Sequence, residues 1–75
     1  MKYQNGQAAQ VGDRVKIGLH DQGIVVCSID SGEGTPEYPI SQWSYLKIGV
    51  MILTSKGALI HYSEPDEDLE LIQRA

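Results

Sequence analysis

Phenylalanine is absent from the chain, cysteine occurs once, and no apolar run approaches the length of a membrane span. A lone Cys27 excludes a disulfide within the chain, and with only the two distant histidines His20 and His61 it does not complete a structural zinc site. A spanning helix takes about 18 or more consecutive apolar residues, so no membrane partner is expected. The opening MKYQNGQAAQ lacks the apolar core of a signal peptide, which places the expected location in the cytoplasm. Cations are few and dispersed: Lys2, Arg14, Lys16, Lys47, Lys56 and Arg74 form no run and face ten acids, for a net charge of −4. The cationic stripe of a nucleic-acid binder is missing, so no nucleic acid is expected as a partner. The glycine-rich Asp30-Ser31-Gly32-Glu33-Gly34 carries carboxylates and no lysine, which sets it against phosphate, and it lacks the ligand spacing of a calcium-binding EF-hand. No cofactor or metal is expected.

The chain of 75 residues makes one domain, 1–75. A domain of this size buries only about 60% of the surface its unfolded form exposes. With disulfide and metal staples excluded, its stability leans on tight packing or self-association. The densest apolar segment is Gly49 to Tyr62, GVMILTSKGALIHY, in which two apolar runs surround Ser55-Lys56-Gly57. This spacing predicts a β-hairpin whose Gly57 takes the positive φ that follows a type I turn. Alternation puts Val50, Ile52 and Thr54 on one face and Met51, Leu53 and Ser55 on the other. Both faces are apolar, so the hairpin should be covered on both sides, by a rolled-up sheet or by another subunit. A homo-oligomer is therefore expected.

Upstream, Asn5-Gly6 predicts a tight type I′ turn in a small N-terminal hairpin or arm. Val11-Gly12-Asp13-Arg14-Val15 leads into a half-buried strand, with Val15, Ile17 and Leu19 inward and Arg14 and Lys16 outward. His20-Asp21-Gln22-Gly23 reverses the chain into a β-branched strand from Gly23 to Asp30, in which Cys27 reads as a small core residue. Ser31 to Pro39 holds the glycines and prolines of a loop, with Tyr38-Pro39 a candidate cis peptide. From Ser41 to Lys47 the spacing of Trp43 and Leu46 predicts a single helical or 3₁₀ turn that plugs an end of the barrel with Trp43. An acidic connection, Ser63 to Asp68, precedes a last strand with Leu69 and Leu71 inward and Glu70 outward. Five to six short antiparallel strands with turn signals between them predict an all-β fold, a small barrel with one short helical turn.

No nucleophile paired with a base, ligand set or cofactor motif emerges, so the expectation is a non-catalytic module that binds a protein. Glu64, Asp66, Glu67 and Asp68 are either a solvated edge or a docking surface for a basic partner. Tyr38 and Tyr45, beside prolines or on the helical turn, are candidate partner contacts. His61, flanked by Ile60 and Tyr62, is either a strand histidine bonded to backbone or, with Tyr62, a ligand-facing residue. His20 beside Asp21 has the sequence of an oriented base and also of a solvated turn.

The VGDRV opening, the glycine-led second strand ending at Asp30 and the short last strand after a polar turn resemble the SH3-like barrel plan. Together KYQNG, VGDRV, GVMILT, ALIHY and LELIQR look like a group of small bacterial proteins often carried on mobile elements such as integron cassettes, which implies a small barrel and leaves the activity open. The plan is also similar to the plasmid- and integron-borne type II dihydrofolate reductases, which share a GDRV opening and enclose one pore with four chains. Their pore motif, Val-Gln-Ile-Tyr, corresponds to Leu59-Ile60-His61-Tyr62. The tyrosine matches and the glutamine does not. That resemblance implies, as the alternative to a binding module, a symmetric-pore enzyme with His61 and Tyr62 facing its ligands.

Overall fold

The computed structural model describes residues 1–74. They form strands β1 (Arg14–Ile17), β2 (Asp21–Ser28), β3 (Val50–Thr54), β4 (Leu59–Tyr62) and β5 (Leu69–Gln73). Between β2 and β3 lies one short helical segment, α1 (Ile40–Trp43), continued by a 3₁₀ turn at Ser44–Leu46. The five strands make one antiparallel sheet in the order β4-β3-β2-β1-β5. The all-β class, the five antiparallel strands and the single helical turn agree with the sequence pattern. Among the described residues no helix is long and apolar enough to cross a membrane.

No ladder joins β4 to β5 among the described residues. The sheet curls instead, so that Tyr62 from β4 and Leu69 and Leu71 from β5 pack on one inner cluster with Val15, Val25, Val50 and Ile52. The N-terminal arm covers that cluster with Tyr3 and Ala9, both buried. On the opposite, outer face a second cluster of Val26, Cys27, Ile29 and Met51 is covered by Tyr38, Ile40, Trp43 and Leu46. A bulge in β2 between Val25 and Cys27 produces this division. The extra residue resets the alternation, so Val25 points inward while Val26 and Cys27 both join the outer cluster. Both faces of the β3-β4 hairpin are thus covered in large part by the chain itself. Cys27 is fully buried, and desolvation pushes its thiol above the usual range, which makes it a core residue and a poor nucleophile.

Local departures have local causes. Trp43 lies over the outer face rather than entering the inner core, because α1 packs on β2 and turns Ile40 and Trp43, three residues apart, onto the outer cluster. At the N-terminal turn only Gly6 has positive φ (88°), so the turn is not type I′. Its bonds, Gly6 N–H to the Tyr3 carbonyl and Tyr3 N–H to that of Gln7, repeat the pattern at Thr54 to Ala58, where Gly57 has φ 86°. Both are type I turns followed by a glycine bulge. Leu19, expected inward, is 82% exposed because β1 ends at Ile17 and Gly18 turns the chain away. The Tyr38–Pro39 peptide is trans.

Candidate functional site

The acidic connection is a constructed turn. The Asp66 carboxylate accepts the Asp68 N–H (2.8 Å), and the Asp66 carbonyl accepts the Leu69 N–H (3.0 Å). Asp68 in turn offers its carbonyl to the Gly18 N–H at 2.7 Å, which ties the connection to the β1-β2 turn. Glu64, Asp66, Glu67 and Asp68 are all exposed. Among the described residues the ion pairs are those of the Met1 ammonium with Asp30, Lys56 with Asp21 (3.2 Å) and Arg74 with Asp13 (3.5 Å). None of the four acids has a cationic partner among the described residues. Tyr62 stands at the start of this connection, half-buried. Burial first, and then the charges of Asp66 and Asp68, push its phenol above the ordinary value.

The tyrosines of the predicted set lie elsewhere. Tyr38 closes a turn with Thr35 through reciprocal backbone bonds (3.0 and 3.1 Å), and the Thr35 hydroxyl donates to the Val26 carbonyl (3.1 Å), fixing this loop on β2. Tyr38 therefore belongs to the outer face. Tyr45 projects from the 3₁₀ turn, 70% exposed. His61 is exposed on β4, and its Nε2–H donates to the Ile48 carbonyl at 2.8 Å, so the ring is held by backbone just beyond the helical segment. Its neighbour Tyr62 packs on the inner cluster. Asp21 pairs with Lys56, and His20 is a solvated turn residue. The acids thus form one locus, and Tyr38 and the Tyr45-to-His61 region form others.

Between Tyr45 and His61 the backbone is strained. Lys47 has φ 71° and ψ −36°, and the Ile48 N–H bonds the Leu46 carbonyl at 2.9 Å. This is a γ-turn of the rarer positive-φ kind, which a residue with a Cβ adopts at a cost. Relieving it with Lys47→Gly is expected to raise stability by about 1 kcal/mol. A denaturation midpoint at or below that of the native chain would contradict this account of the strain.

A second polar site escaped the sequence reading. Asp13 is 1% exposed, and its Oδ2 accepts the Tyr3 hydroxyl (2.7 Å) and the Gln10 N–H (3.0 Å), with Arg74 Nη1 at 3.5 Å. Burial, and then the hydrogen bond and charge of Asp13, push the Tyr3 phenol well above its ordinary value, with Arg74 acting against the shift. One carboxylate thereby holds the N-terminal arm, the start of β1 and the end of β5. The only local signal was a Gly12-Asp13 pair before a strand, which reads as a turn. The partners are 10 and 61 residues away.

Among the described residues no three His, Cys, Asp or Glu side chains are grouped so as to hold a metal ion. Compared with protein-family models, characterised proteins and solved structures, the chain matches none.

Proposed function

We propose that this protein is a non-catalytic binding module on an SH3-like scaffold, whose acidic β4-β5 connection docks a basic protein partner. The scaffold reading is supported by a four-strand meander whose fifth strand returns to pair with β1. The docking reading rests on one observation: four exposed carboxylates on a connection tied down by hydrogen bonds at Asp66 and Asp68, none of them paired with a cation among the described residues. A turn already ordered loses little entropy on binding, and carboxylates left in water keep their full field for steering a cationic surface. Tyr62 at the base of the turn supplies an aromatic floor.

The experiment is affinity capture of a partner with the native chain and with the double variant Glu67→Lys, Asp68→Lys. Asp66 is left intact because its carboxylate builds the turn. A basic partner should be held by the native chain, released as salt rises, and bound at least about tenfold more weakly by the variant, or about 1.4 kcal/mol. Equal retention by the variant, or retention indifferent to salt, would reject the acidic turn as the docking surface.

A further inference from the structure

The outer face carries two shallow depressions that meet at Leu53. Arg14 and Ile24 line the first, and Val26, Pro36, Glu37 and Tyr38 line the second. The cross-strand register explains the first, since Arg14 pairs with Ile24 and Ile24 with Leu53 in one row across β1, β2 and β3. The second forms where the loop pinned by Thr35 lies over β2 and beside β3. The result is an apolar strip, with Ile24 45% exposed and Leu53 half-buried, that α1 leaves uncovered. Its ends differ in sign. Arg14 stands at one end and Glu37 at the other, both exposed, and neither has an ion-pair partner within the chain among the described residues.

A strip with an apolar centre and opposite charges at its two ends is complementary to itself after a half-turn. We infer that it is the contact between two copies of this chain, with Leu53 at the two-fold axis and Arg14 of each copy facing Glu37 of the other. A two-fold contact requires one surface patch to match itself, and this patch does so in its apolar centre and in the opposite charges of its ends. A different apolar partner would have to carry the same inverted pair of charges by coincidence. The contact also buries the apolar surface that the helical segment leaves open, and it lies apart from the acidic connection.

The geometry gives a test that depends on symmetry. Arg14→Glu and Glu37→Arg each change an exposed side chain, so both variants should fold, as circular dichroism would check. In either variant alone, both inter-copy pairs become like-charged. In a mixture, one copy of each restores two opposite-charge pairs. Sedimentation at micromolar concentration should show a dimer for the native chain, at least tenfold weaker association for each variant alone, and a dimer again on mixing the two in equal amounts. Glu67→Lys, Asp68→Lys should sediment like the native chain, which separates this contact from the proposed partner site. A native monomer, variants that associate as tightly as the native chain, or a mixture that stays monomeric would each overturn the inference.

Discussion

Gly49→Ala is expected to leave the chain without a cooperative unfolding transition. Gly49 has φ 99°, and a Cβ there would lie 2.1 Å from the Tyr62 carbonyl oxygen and 2.9 Å from both His61 Nε2 and the Ser63 Cα. Two of these neighbours are backbone and cannot swing away. Gly49 also bonds through both of its backbone groups, donating to Asp30 Oδ1 (3.1 Å) and accepting from the Ile29 N–H (2.9 Å), so it cannot retreat either. Opening the space means separating the end of β4 from the start of β3, where Tyr62 pairs with Val50. A small domain has a reserve of only about 5 kcal/mol or slightly more, and losing this end of the sheet exceeds it. Gly57→Ala is the matched control, because its φ is 86° but nothing lies within 4 Å of the added atom. It should cost only the backbone term, about 1 to 2 kcal/mol, and keep a sharp transition. Thermal unfolding followed by circular dichroism compares the two; a Gly49→Ala midpoint equal to that of Gly57→Ala would show that the packing around Gly49 yields.

The same segment shows how far a sequence reaches. Gly49 to Tyr62 was legible because two apolar runs separated by a turn-forming triplet leave one good local solution, and both the face assignment and the glycine after the turn followed from it. The inward set of β5 was legible for the same reason. What covers the second face of the hairpin was not. That depended on the bulge at Val26, an insertion by one residue that no local pattern announces, and on the loop from Thr35 to Tyr38 being pinned to β2 by one hydroxyl. At the candidate site, the acidic run could be read from composition, whereas its tether to the β1-β2 turn runs through a bond between Gly18 and Asp68. Tyr38 and Tyr45 could both be read as partner contacts from their neighbours in sequence, yet only Tyr45 is exposed, while Tyr38, on the other side of α1, packs against the outer cluster.

Asp13→Ala is expected to cost about 3 to 5 kcal/mol, because it leaves the Tyr3 hydroxyl, the Gln10 N–H and the Arg74 guanidinium without their shared acceptor. Tyr3→Phe should cost less, since Asp13 keeps its other two donors. If the three groups act as one unit, the double variant should cost clearly less than the sum of the singles in chemical denaturation. Additive costs would mean the arm is held by apolar packing of Tyr3 alone. The network also fixes a pH dependence. The Tyr3 phenol titrates above its ordinary 10.0 in the folded chain, so its neutral form is the one the fold favours. The corresponding stability is fully present below pH 10, where the unfolded phenol is also protonated, and is lost as pH rises through the folded value. Unfolding in alkali should therefore begin near pH 10 in the native chain. Tyr62 shifts in the same direction, so Tyr3→Phe should lessen the alkaline loss rather than remove it. An alkaline slope unchanged in Tyr3→Phe would mean that Tyr3 ionises freely, which is incompatible with a phenol buried against a carboxylate.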